Sequence, residues 1–224
     1  MTQSAPRARK VTRRWPWISG LVLIALVLAG GALLAARTSN LVDDGWMEEI
    51  LENRSPVWEV PALLLNFLGG GWFASFVVPL VIIGALCLVR RFWAALYFSV
   101  TALLSVAAVQ LLKSIFGRAR PVEMLVTSDF GSFPSGHVAN AATIATALAL
   151  IFSRAWVWWV GVVYVVAMML SRTYLGAHWL TDTIGGLLLG AAVAVMVWAP
   201  FAERLQQEAQ RKRLLLWRRA DVAR

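Results

Sequence analysis

A single cysteine, Cys87, lies inside an apolar run, and one thiol excludes both a disulfide framework and a thiolate metal site. Charge is scarce as well: 15% of the 224 residues are charged against 59% hydrophobic, which excludes an ordinary soluble domain of this length. Acids are the scarcer sign, 12 against 21 lysines and arginines. The net charge of +9 would suit nucleic acid, but the cations gather at the two chain ends beside apolar segments. That pattern points to anionic lipid headgroups and away from nucleic acid. A clean small-x-small cleavage site before Arg37 is missing too. The first apolar segment therefore reads as a membrane span, although Arg7, Arg9, Lys10, Arg13 and Arg14 precede it in the manner of a signal peptide. Histidine occurs only twice, as His137 and His178.

What remains is a chain of membrane-length apolar stretches over 17–36, 72–89, 92–112, 137–152, 156–170 and 179–200. A spanning helix needs about 20 residues, so the fourth and fifth must borrow flanking residues. The fold expected is all-α, a polytopic bundle of six transmembrane helices over 17–200, between a basic N-terminus (1–16) and a basic tail (201–224). Trp15, Trp17, Trp72, Trp93, Trp156, Trp179 and Trp198 stand near segment ends, where an aromatic belt would sit. In the tail, Leu214, Leu215, Leu216 and Trp217 interleave with cations as in a helix lying on the inner surface.

Lysine and arginine favour the cytoplasmic side. Residues 1–16 hold five cations and no acid, Arg90, Arg91 and Arg154 occupy the second and fourth connections, and 203–224 hold seven cations against three acids. Residues 37–60 hold two cations against six acids and belong outside. Both termini are then cytoplasmic in a multi-pass plasma-membrane protein. Within the outer loop, Val42, Trp46, Met47, Ile50 and Leu51 recur at helical spacing opposite the acids, as in an interfacial amphipathic helix or one packed on the bundle.

Three polar clusters, 113–121, 134–137 and 171–182, interrupt this apolar chain, and all fall on the outer side. Ionisable groups beside spanning segments are costly and mark functional sites. Ser135 is placed to cap the fourth helix, and Gly136 would let an anion reach the free amides of its first turn. His178 and Asp182 are four apart and share a face if the last helix begins near Gly176 or Ala177, so the carboxylate could hold one imidazole tautomer. Lys113, Arg118 and Arg120 put positive charge on the outer side, against the orientation rule, and an anionic substrate would account for them; Arg172 ends the fifth span, where a short return puts it beside His178. Glu123, Asp129 and Asp182 are scattered and make no compact carboxylate site for a metal.

Lys113-x6-Arg120-Pro121, Pro134-Ser135-Gly136-His137 and Ser171-Arg172-x5-His178-x3-Asp182 together resemble the three-part signature of the phosphatidic acid phosphatase type 2 superfamily. The resemblance covers roughly residues 60–200, with the signature at 113–182. It implies that His178 is the nucleophile, Asp182 its orienting acid and His137 the leaving-group acid. Lys113, Arg120, Arg172, Ser135 and Gly136 would hold the phosphate oxygens. Arg118 lies outside the signature, and its role is open. The activity implied is hydrolysis of a lipid phosphate or diphosphate in the outer leaflet through a phosphohistidine, without metal or other cofactor. An outward site favours undecaprenyl diphosphate, with phosphatidic acid, phosphatidylglycerol phosphate or transfer to another lipid as alternatives. A non-catalytic membrane binding or transport protein is the reading from another class, disfavoured by the intact histidines.

Overall fold

A computed structural model describes residues 5–35 and 40–222, with side chains over 14–35 and 40–210. Among the described residues every regular element is helical: α1 (Ala5–Ala35), α2 (Leu41–Glu52), α3 (Pro56–Gly69), a π-helical turn (Phe73–Val77), α4 (Val78–Leu88), α5 (Phe92–Phe116), α6 (Gly136–Phe152), α7 (Ala155–Tyr174) and α8 (Leu180–Val222). The side chains of 1–13 and 211–224, and with them the expected inner-surface contacts of that part of the tail, lie outside the described residues.

Length and apolarity alone give four or five spans and do not establish the expected six. Four helical segments are long and apolar enough to cross alone: 14–35 of α1, α5, α7 and 180–210 of α8. A fifth arises only if α3 and Phe73–Leu88, bent by 49° at their junction, are taken as one broken span. Helix α6 has 17 residues. That stands at the lower limit of about 17 residues for a spanning helix. It lies among α5, α7 and α8, so protein and not lipid surrounds much of it and membrane thickness does not dictate its length.

Helix α3 departs from the sequence expectation, which starts the second span at Trp72. The signals are present: Pro56 stands at a first-turn position after Ser55, and the run that follows is apolar. Gly69, Gly70 and Gly71 then end the helix, Gly71 at φ +59°, and the chain resumes through the π turn.

Helices α5, α6 and α8 form the centre, with α1 against α8, α7 against α6, and α3 against α7. Alanines Ala139, Ala141, Ala142 and Ala147 on α6 are fully enclosed, as close helix packing in a membrane requires. The tightest approach to another helix's backbone is at Gly190, where any Cβ would stand 2.3 Å from the Ala139 carbonyl oxygen. Large apolar side chains such as Leu21, Leu103, Leu111, Trp159 and Val163 point outward, as lipid-facing residues do. Trp179 departs from the expected aromatic belt: it is buried, and its Nε1 donates to the Ala119 carbonyl at 3.0 Å.

Helix α2 is capped by Asn40, whose side chain accepts from the amides of Val42 (3.0 Å) and Asp43 (3.2 Å). Its orientation differs from the apolar-face expectation. Met47 is buried as expected, yet Val42 is exposed and Asp43 is fully enclosed. A buried cation on the neighbouring segment decides this, because Asp43 pairs with Arg118 at 2.8 Å.

Candidate active site

The three clusters converge at one end of the central helices. Lys113 projects from the last turn of α5 and its Nζ donates to both carboxylate oxygens of Asp129, at 2.8 and 2.9 Å. Arg120, just beyond α5, donates through Nη2 to Asp129 Oδ1 at 2.7 Å and to the Gly131 carbonyl at 2.8 Å. Its Nη1 stands 3.3 Å from His178 Nε2. Arg172 ends α7, is buried, and donates to the Asn66 side-chain oxygen, while its Nε has no partner.

His178 precedes α8, which begins at Leu180 and not at Gly176 or Ala177 as supposed. Its amide and that of Ala177 both donate to the Arg172 carbonyl, at 3.3 and 3.1 Å, so the short return places the third cluster beside the end of α7. Its Nδ1 lies 2.8 Å from the Ser132 carbonyl and 3.7 Å from Asp182 Oδ2. A carbonyl can only accept, so Nδ1 carries the proton and Nε2 presents its lone pair toward Arg120. Burial holds the imidazole pKa well below 6.5, and the charges of Arg120, Arg172 and Lys113 push it the same way.

Asp182 is at hydrogen-bond distance from other groups. Its Oδ2 accepts the Trp179 amide at 2.9 Å, a carboxylate reaching back from the first turn of α8, and its Oδ1 pairs with Arg118 at 2.6 Å. Ser135 caps α6 by backbone geometry, but its buried Oγ has no hydrogen-bond partner. A Cβ on Gly136 would meet only Val109, at 3.5 Å, so packing leaves room on this side of the first turn. His137 turns toward the end of α3, its Nε2 3.2 Å from the Asn66 carbonyl. Gly70 lies directly against it, since any Cβ there would fall 1.9 Å from Nε2.

Sequence reasoning missed four contributors. Asn66 touches both Arg172 and His137; a lone amide in an otherwise apolar helix was the available signal. Gly70, Ser132 and Asp129 carried no such mark. Asp129, read as scattered, instead joins two of the cations, whose pull lowers its carboxyl pKa even though burial works the other way.

The arrangement suits an anion: three cations, an unpartnered hydroxyl and free amides at a helix start, and a neutral imidazole facing them. The PAP2 superfamily model matches residues 94–205. The chain belongs to this superfamily. An undecaprenyl-diphosphatase from Sulfolobus acidocaldarius is 40% identical over 65 residues, which make up 29% of this chain and 31% of that protein. Phosphatidylglycerophosphatase B of Bacillus subtilis is 29% identical over 192 residues, 79% of this chain and 85% of the relative. The crystal structure of a transmembrane PAP2 type phosphatidylglycerolphosphate phosphatase from Bacillus subtilis superposes with a TM-score of 0.70 at 30% identity, covering 83% of this chain and 96% of that one. These matches bear out the resemblance and the reading of a multi-pass membrane enzyme of the lipid phosphatase class. The PAP2 match includes all three clusters.

Proposed function

We propose that this PAP2 protein removes a phosphate group from a phosphomonoester or diphosphate lipid by way of a phosphohistidine on His178. The observation that carries the reading is the tautomer: Ser132 holds Nδ1–H, which leaves the Nε2 lone pair facing Arg120. Nε2 attacks phosphorus as the bond to the leaving oxygen breaks, and His137 supplies the proton that oxygen needs. Water then attacks the phosphohistidine with His137 as base, and free phosphate leaves. Lys113, Arg120, Arg172, Ser135 and the Gly136 amide stabilise the equatorial oxygens, which is most of what phosphoryl transfer asks of a protein. Asp129 leaves the cations when phosphate arrives.

The charge distribution supports a site on the outer face, with both termini cytoplasmic. An outward site and the Sulfolobus relative favour a polyprenyl diphosphate such as undecaprenyl diphosphate. The length of the Bacillus match favours phosphatidylglycerol phosphate as the second reading. Purified protein should be given both lipids and phosphatidic acid, and free phosphate measured. Release from one of them by wild type and none by His178→Ala is the expected result; release by the variant removes the proposed nucleophile.

A further inference from the structure

Arg118 lies outside the signature, yet it is one of the most enclosed side chains of the protein. Its Nη1 donates to Asp182 Oδ1 at 2.6 Å and to Thr181 Oγ1 at 2.8 Å, and its Nη2 to Asp43 Oδ2 at 2.8 Å. The Trp179 ring lies 5.7 Å from the guanidinium carbon. Asp43 is committed to the same knot: it accepts the Thr181 amide at 2.9 Å, the Thr181 hydroxyl at 2.7 Å and the Asn40 amide at 2.7 Å. The main chain of Arg118 acts in parallel, since its carbonyl accepts the Ser132 amide at 2.9 Å, and Ser132 is the residue that holds His178.

We propose that Arg118 and Asp43 form a positioning pair for the nucleophile. Asp43, carried on α2, fixes the guanidinium; the guanidinium fixes Asp182 and the first turn of α8; and His178, held between that turn and Ser132, keeps Nε2 toward the phosphate cations. A planar fork that serves two carboxylates and a hydroxyl sets both distance and angle, which an ammonium cannot do. Neither residue touches the phosphate cations at hydrogen-bond distance, so the pair governs bond formation to His178 and leaves anion attraction to Lys113, Arg120 and Arg172. The inference rests on the assignment of His178 as nucleophile.

Orthovanadate and inorganic phosphate separate these effects. Vanadate adopts the five-coordinate geometry of phosphoryl transfer with a bond to the nucleophile, whereas free phosphate reads the cations alone. In Asp43→Asn and in Arg118→Lys, kcat should fall at least about 10-fold and vanadate binding should weaken in parallel, as expected for a nucleophile displaced by a fraction of an ångström. Phosphate binding should stay within about twofold, the usual limit for sites that share no partner. Binding is read as the ligand-induced shift in melting temperature of the detergent-purified protein, which needs no turnover. Thr181→Val serves if the charge variants fail to fold, because it removes the hydroxyl between Arg118 and Asp43 and leaves both ions paired; the same contrast is expected at smaller size. Folded variants with wild-type vanadate binding and kcat overturn the proposal, as does equal loss of vanadate and phosphate binding. Wild-type protein that responds to neither anion overturns the underlying assignment of the site instead.

Discussion

Replacing Asp129 by asparagine tests the electrostatics of the site most directly. Its carboxylate engages Lys113 at 2.8 Å and Arg120 at 2.7 Å, two of the cations assigned to phosphate, so an incoming anion must displace it. Its side chain is 58% exposed while those of the cations are 5% and 9% exposed, so water screens the carboxylate more than its partners. Pairs of this partly exposed kind contribute up to about 1 kcal/mol each. Two of them sharing charge-assisted hydrogen bonds contribute about 1 to 2 kcal/mol together. That corresponds to a competition of about 5- to 30-fold. Asparagine keeps the shape and one acceptor oxygen but drops the charge. Inorganic phosphate should therefore inhibit Asp129→Asn at concentrations lower by about 5- to 30-fold. The assay is lipid phosphate release at fixed substrate with increasing phosphate. Wild type should not acquire the variant's sensitivity on mild acidification. The Asp129 pKa lies below the usual carboxylate value, because the Lys113 hydrogen bond and the neighbouring cations outweigh burial. The carboxylate thus stays charged, and keeps competing, until the pH falls through that lowered value. Unchanged or weaker inhibition of the variant would refute the argument and make Asp129 a brace that aims the cations.

Gly70→Ala puts a methyl group 1.9 Å from His137 Nε2; the imidazole must move, and kcat should fall by about 100-fold in a protein that still purifies as wild type does. Normal turnover of that variant would mean that His137 works from another position. With the His178 pKa depressed by burial and by Arg120, Arg172 and Lys113, the ring stays neutral down through pH 6.5, so any acid limb that His178 gives to kcat/KM lies below that pH. A His178 limb above pH 7 would contradict the electrostatics described. Activity should survive EDTA, since the proposed transfer uses fixed cations; a strict magnesium requirement would oppose it. For orientation, Ser128→Cys, at an exposed position in a Cys87→Ser background, should react with a membrane-impermeant maleimide in intact cells, and reaction only after lysis would reverse the assignment.

Legibility in the sequence followed the range of the interactions. Helices α1, α5, α7 and α8 were visible because apolar length is a property of contiguous residues. Helix α3 was hidden by its three closing glycines, which break the apolar run and made Trp72 look like a beginning. Lys113, Arg120, Arg172, His178 and Asp182 could be named because each lies in a polar cluster beside an apolar run and falls on the signature the chain resembles. The partner of His178 could not. Four-residue spacing suggested Asp182, but the helix starts after the histidine, and the chain returning from α5 supplies the Ser132 carbonyl instead.

By itself, then, the sequence determined the membrane class, the helical architecture and the chemical types gathered at the site, all of them consequences of composition and local spacing. Tertiary structure alone decided how those groups are shared. Asp43 reaches Arg118 across 75 positions, and the Asn66 carbonyl meets His137 across 71. An ion buried among packed helices must find its counter-ion wherever the fold brings one near, and no local pattern records which one that is. That requirement turned Asp43 inward on a helix whose apolar pattern suggested the opposite face, and it brought Asp129 onto the cations that the sequence had set aside for phosphate.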